Sequence, residues 1–492
     1  MRHIALFSLA LTVSAAASAH DVPGGASVDP IAAYQKFRHD AINRYNAFHD
    51  SVNARYAEHL LTAWAWYEGK APMPAPQEKL PVAPVRYDRS RRAPVRETSP
   101  EEVVTVPDEP RPMPAEPVKE IPEVDAVPLK VKFFGHECSV RLPMAAKQGL
   151  PELTPQAVSR RWTELSEDGM NNAIRDCLET RMRYNLCDWA YLRLLDTVAR
   201  AAAPDSDAAT LLMAYLYCRS GYQMRLGVDD GHLTMLYGSL YQIYDTRYYE
   251  LDGAKFYQYG QASRKLNICN IPYESEAPMS LAIAKEQLLG NAVSMPREIV
   301  SEEPQGVKAT VSTPLSLLEF FDSYPVSTLG NDPLTKWAVY AGSPMSASVR
   351  ETLYPSLRRA IDGCTQVQAA DRLLKWIQYG FEYEYDDKVW GHDRAFFAEE
   401  TLYYPYCDCE DRAILFTRLV RDLLGLDAAL VYCPGHLAAA VRFTDDEMPD
   451  ADCMNVDGRR YVICDPTYIG APVGVRMPDL DYDAARMIIL DK

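Results

Sequence analysis

Apolar residues in the last third of the chain fall into runs of two different periods. Between Glu410 and Leu424, positions Ala413, Leu415, Phe416, Leu419, Leu423 and Leu424 recur at steps of three and four, which predicts a helix with one buried face. Gly425 supplies its stop. Short apolar runs follow, separated by turn residues: Ala428–Tyr432, the Pro434-Gly435 turn, Leu437–Phe443, the Asp457-Gly458 turn and Tyr461–Cys464. Runs of that length and spacing predict an antiparallel meander. Upstream, Leu373, Leu374, Trp376 and Ile377 predict another helix within Ala369–Tyr379, ahead of Phe381–Tyr385. Helices laid on an antiparallel sheet make an α+β core.

The N-terminal part reads differently. Over residues 29–68, Tyr34, Phe37, Ala41, Tyr45, Phe48, Val52, Tyr56 and Leu60 step by three and four in an eleven-residue rhythm, with Asp29 as cap, Pro30 in the first turn and Gly69 and Pro72 at the end. This predicts one long helix whose aromatic stripe is buried on its own domain or docks on a partner. Residues 71–128 hold 14 of the 35 prolines, a density that forbids regular helix or central strand, and predict a stiff linker. Residues 297–330 are mixed in character and read as a connector that ends at the Asn331-Asp332-Pro333 turn, so a C-terminal domain spans 331–492.

Three strings in the C-terminal domain carry chemistry: YCDCEDRAILF with Cys409, PGHLAAAV with His436 and YVICDPTY with Asp465. Cys409 falls in the first turn of the predicted helix, where free backbone N–H groups and the helix dipole favour a thiolate and can form part of an oxyanion hole. His436 opens the second strand and Asp465 follows the third, so an antiparallel fold can bring the three together. Tyr403, Tyr404 and Tyr406 stand just before Cys409, and the hydroxyl of Tyr404 or Tyr406 is a candidate for the rim or the oxyanion hole. A second use of the same residues is a zinc site from Cys407, Cys409, Cys433 and His436, a C-x-C with C-x-x-H. It would leave Asp465 without a role, and the reading adopted has no metal and no cofactor.

The pattern Cys409-Glu410-Asp411-Arg412-Ala413, Gly435-His436, Asp465-Pro466-Thr467 resembles the transglutaminase-like superfamily, a relative of the papain-like cysteine protease fold. The resemblance covers roughly the last third of the chain. It implies Cys409 as nucleophile, His436 as general base and acid, and Asp465 as the group that sets the imidazole tautomer. The chain departs from the family's usual residues at Cys407, Arg412 and Ala438.

Residues 129–296 align with the C-terminal domain at a constant offset: Gly221 with Gly425 and Gly231-His232-Leu233 with Gly435-His436-Leu437, 204 residues apart. With a nine-residue loop difference Asp252 falls opposite Asp465, and Asp205 stands where Cys409 does. The expectation is a duplicated core whose first copy is a pseudo-catalytic domain with a degenerate site of Asp205, His232 and Asp252.

Residues 1–19 have a basic start, an apolar stretch and Ala17-Ser18-Ala19, which predicts a cleaved signal peptide and a periplasmic or secreted protein. No later run approaches the roughly 18 apolar residues of a membrane span. A net charge of −17 and a pI near 5.1 argue against nucleic acid as partner. The 11 cysteines are odd in number, which leaves one thiol unpaired whatever disulfides form. The expected activity is hydrolysis of a peptide or amide bond through a thioester, on peptide, protein or cell-wall peptide. The alternatives are a protein-glutamine transamidase and a catalytically silent envelope scaffold.

Overall fold

In the computed structural model, residues 51–76, 81–105, 127–166, 169–273, 276–301, 306–330 and 332–490 are described. The expected signal peptide and the front of the expected long N-terminal helix lie outside them. The fold is mixed α and β, with helices packed on two large sheets that are antiparallel except at the edges of the second. Among the described residues no helix is long and apolar enough to cross a membrane.

The first large sheet has the strand order Trp64–Glu68, Lys265–Cys269, Met224–Asp229, His232–Gly238, Ala254–Gln258, Tyr248–Leu251. The helix Ser206–Arg219 lies across its His232–Gly238 strand. In the second large sheet the order is Glu97–Thr98, Cys453–Val456, Arg459–Cys464, His436–Arg442, Asp427–Cys433, Arg486–Leu490, Glu102–Thr105. There the helix Cys409–Leu424 crosses the strand His436–Arg442. Counting the five strands that follow each helix, both sheets run last, first, second, fourth, third. Around these cores, residues 49–492 form one compact unit.

Three sequence expectations change. The N-terminal helix ends at residue 62, not 68, and Trp64–Glu68 is a strand paired antiparallel with Lys265–Cys269. Its aromatic residues suit a sheet edge better than a helix terminus, and Trp64 Nε1 donates to Leu60 O at 2.7 Å across the junction. The described part of the stripe is buried on its own domain: Val52, Tyr56 and Leu60 are core residues, with the Tyr56 ring 4.7 Å from Trp162 and 5.6 Å from Tyr273. The proline-rich stretch is more than a spacer. Its residues 81–105 lie along the second sheet, with Glu97–Thr98 parallel to Cys453–Val456 on one edge and Glu102–Thr105 parallel to Arg486–Leu490 on the other. Short edge strands are the sheet positions that neighbouring prolines allow. The connector is folded too. It contains the hairpin Arg297–Val300 with Lys308–Val311, the helix Leu315–Asp322, and Ser327–Leu329 paired with Tyr241–Ile243.

The C-terminal helix is buried nearly all round: Ala413, Ile414, Leu415, Phe416, Leu419 and Val420 are fully covered. Gly425 caps it in the left-handed conformation at φ 66°. On one side lies the helix Gln366–Gly380, whose Thr365 and Gln368 form a capping box. The opposite sheet face, with Ala429, Val431, Ala438, Ala440 and Ile463, carries its own apolar layer with Tyr482, Ala485 and Met487. With both faces covered, the sheet holds the turns at its ends in fixed places.

Candidate active site

Cys409 is the first residue of its helix, and the aspartates on either side fasten that terminus. Asp411 accepts from Phe396 N–H at 2.8 Å and from Asp408 N–H at 3.2 Å. Asp408, the N-cap, is buried with one carboxylate oxygen unpartnered among the described residues. Burial first, then Asp386 and Glu410, pushes the Asp411 carboxyl well above its usual range. The helix terminus is therefore crowded with acids rather than bare.

His436 follows a two-residue hairpin in which Gly435 takes φ 88°, a region that glycine enters freely. Its ring and the Asp465 carboxylate are both fully buried, with Nε2 at 2.9 Å from Oδ2. Asp465 Oδ1 in turn accepts from Thr467 N–H at 2.9 Å and Tyr468 N–H at 3.2 Å, which holds the carboxylate in one orientation. A carboxylate that is ionised only accepts, so a neutral ring that makes this bond carries its proton on Nε2 and its lone pair on Nδ1. Nδ1 is buried without a hydrogen-bond partner among the described residues.

Cys409 and His436 line one cavity, together with Pro81, Trp337, Glu410, Tyr432, Gly435 and Leu437. Its volume is about 10 Å³, at the limit for a single water. The thiol donates to Glu410 Oε2 at 3.1 Å. Burial, then the charges of Glu410 and Asp408, hold the Cys409 thiol well above its ordinary value, while the Leu437 N–H acts the other way. At neutral pH this arrangement holds a neutral thiol beside a buried imidazole.

Two further donors were missed in the sequence. Trp337, on the helix Thr335–Gly342, lines the cavity, and its buried indole N–H has no acceptor among the described residues. The Tyr383 hydroxyl is likewise buried and unpartnered. Burial first, then the charges of Cys409, Asp408 and Glu410, raise its pKa. Both groups are buried donors with no acceptor among the described residues. Neither position has a local signal: Trp337 lies 72 residues before the cysteine in an ordinary helical string.

The two tyrosines predicted for this place are elsewhere. Tyr404 stacks with Trp390, Phe396 and Arg394, and Tyr406 is 39% exposed on a two-residue strand beside Glu382–Tyr383; neither lines the cavity. The chain turns between Tyr403 and Cys409, and that turn carries their rings away. Nor does the possible zinc set assemble. Among the described residues, the donor atoms that gather within 4.8 Å are those of Asp408, Cys409 and Glu410 and of Asp386, Asp393 and Glu410. Cys407 instead points its sulfur at Glu382 O at 3.7 Å, and Cys433 packs in the apolar layer on the other sheet face.

In the first domain the three expected residues do not converge. Asp205 is a helix N-cap, accepting from Ala208 N–H at 2.8 Å and from Leu150 N–H at 3.0 Å. His232 has a side chain 72% exposed, 3.4 Å from Asp207 Oδ1. Asp252 sits in an exposed turn at φ 51°, bonded to Asn270 Nδ2 at 3.0 Å. By hairpin register Asp252-Gly253 corresponds to Asp457-Gly458, so the nine-residue gap placed it opposite the wrong aspartate. Asp207, two residues after Asp205, accepts from Leu233 N–H at 2.9 Å. No family model, no curated protein and no solved structure matches this chain.

Proposed function

We propose that the C-terminal domain is a transglutaminase-like cysteine enzyme that transfers an acyl group through a thioester, with water as the usual acceptor and a peptide or other amide as the donor. One observation carries the reading: a fully buried imidazole, tied through Nε2 to a fixed carboxylate and with Nδ1 unpartnered among the described residues, lines the same cavity as a cysteine at a helix N-terminus. In the reaction Nδ1 takes the Cys409 proton, and the sulfur adds to the donor carbonyl carbon. The oxyanion meets the N–H and O–H groups of Trp337 and Tyr383. Collapse expels the amine, which leaves with the proton from Nδ1. A water that gives its proton to Nδ1 then cleaves the thioester and regenerates the thiol. Asp465 stabilises the imidazolium at each stage.

The shared strand order of the two sheets supports a duplicated core, with the first domain a non-catalytic relative. Export, with a cell-wall peptide or a protein as the natural donor, stays part of the proposal on the reading of residues 1–19. The neutral thiol in a closed cavity favours one second reading, a catalytically silent scaffold. A library of peptides and cell-wall fragments incubated with the purified protein separates the two. The enzyme reading expects products that vanish in Cys409→Ala and fall by about 10²- to 10⁴-fold in His436→Ala. Turnover that survives Cys409→Ala would reject it.

A further inference from the structure

The segment from Pro81 to Tyr87 starts at the wall of the Cys409 cavity and runs away from it along the protein. Pro81 lines the cavity, and Val82 N–H donates to Gly435 O at 2.9 Å, one residue before the base. The chain then runs beside the loop that follows Asp465. Val85 O accepts from Ile469 N–H at 2.9 Å, Tyr87 N–H donates to Ile469 O at 2.9 Å, and the Tyr87 ring meets Tyr468 edge-on at 5.6 Å. Val82 and Tyr87 add to the apolar cluster of Tyr468, Ala471, Val475 and Met477. Farther on the segment is anchored by Arg96, which accepts from Cys453 N–H at 3.1 Å and donates to Asp452 Oδ1 at 2.8 Å, and by the two edge strands.

The fastening is uneven. Beyond Val85 it is a run of backbone bonds and strand pairs, whereas at the cavity, among the described residues, it is the Val82–Gly435 bond and the Pro81 ring. The bonds that Val82, Val85 and Tyr87 make are backbone to backbone, the mode by which an extended peptide adds to a protein edge. With the segment in place, Cys409 and His436 are 3% and 2% exposed.

We propose that Pro81–Tyr87 is a built-in strap that occupies the channel of an extended peptide donor and keeps the site closed, opening when its Val82 end lifts from Gly435. The strap's role rests on the reading of Cys409 as nucleophile, but its test does not need turnover. The full-length protein and its Val82→Pro and Tyr87→Ala variants are treated with iodoacetamide at pH 9, and alkylation is followed cysteine by cysteine by mass spectrometry. Val82→Pro removes the N–H bound to Gly435, and Tyr87→Ala removes the ring on Tyr468. The strap expects Cys409 to react at least tenfold faster in both, with the buried Cys464 unchanged. Equal rates at Cys409 in a variant whose residues 81–85 exchange amide hydrogens faster would overturn it, and so would parallel acceleration of Cys464. Peptide turnover is read alongside. Faster alkylation without turnover in any form keeps the strap and removes the enzyme, whereas turnover with equal alkylation of Cys409 in all three keeps the enzyme and removes the strap.

Discussion

Glu410 is the residue that most changes how Cys409 behaves. A carboxylate next in sequence and 3.1 Å from the sulfur holds the thiol proton, and its charge is the largest contribution after burial to the raised pKa. A cysteine poised for attack at rest would need the reverse. The sign gives a test. Glu410→Gln removes one negative charge, so the thiol pKa falls and the thiolate fraction at pH 7.5 rises about tenfold for each unit of fall. The pH profile of Cys409 alkylation should move to lower pH in this variant; a profile identical to that of the wild type would show that Glu410 does not govern the thiol. The indole N–H of Trp337 belongs to the same scale. If it meets the oxyanion, Trp337→Phe should lower turnover by about 10²- to 10³-fold with little change in KM. An unchanged kcat would leave Trp337 as packing only.

At the scale of elements, the helix at 51–62 shows how a periodic stripe turns into stability. Tyr56 is 2% exposed, against Trp162 and Tyr273, and its ring belongs to the same core as the helix Ser206–Arg219. Removal of a buried aromatic ring leaves a cavity and costs about 3–5 kcal/mol. Tyr56→Ala should therefore shift the urea midpoint down by an amount that corresponds to that loss. A change below about 1 kcal/mol would mean that the helix is not part of the cooperative unit. The strand Trp64–Glu68 that follows shows where periodicity stops helping. Its residues fit the tail of a helical stripe and the edge of a sheet alike, and only the vacant edge at Lys265–Cys269 decides between them.

For the whole molecule, buried acids near the site make stability depend on pH. Glu399 and Glu400 are each pushed up to about 7, burial being the first cause in both. Their folded pKa values lie above those of the unfolded chain, so their contribution is complete below about pH 4.5 and is lost as pH rises through 7. The melting temperature should be higher at pH 5 than at pH 8, and Glu399→Gln should flatten that slope, by an amount on the order of 2–3 kcal/mol. A slope unaltered by the substitution would place the proton elsewhere. The order of the helix bearing Cys409, the strand opening at His436 and the turn after Cys464 was legible in the chain, because periods of 3.6 and 2 and the turn residues between them are local properties. So was the buried stripe at Val52, Tyr56 and Leu60, whereas the proline-rich stretch read only as a linker, without its two edge strands. Tertiary structure alone decided that Pro81 and Trp337 line the cavity of Cys409 and His436, whereas Tyr404 and Tyr406 do not. Those pairings join residues tens to hundreds of positions apart. They depend on strand register and helix packing, which no short window of sequence contains.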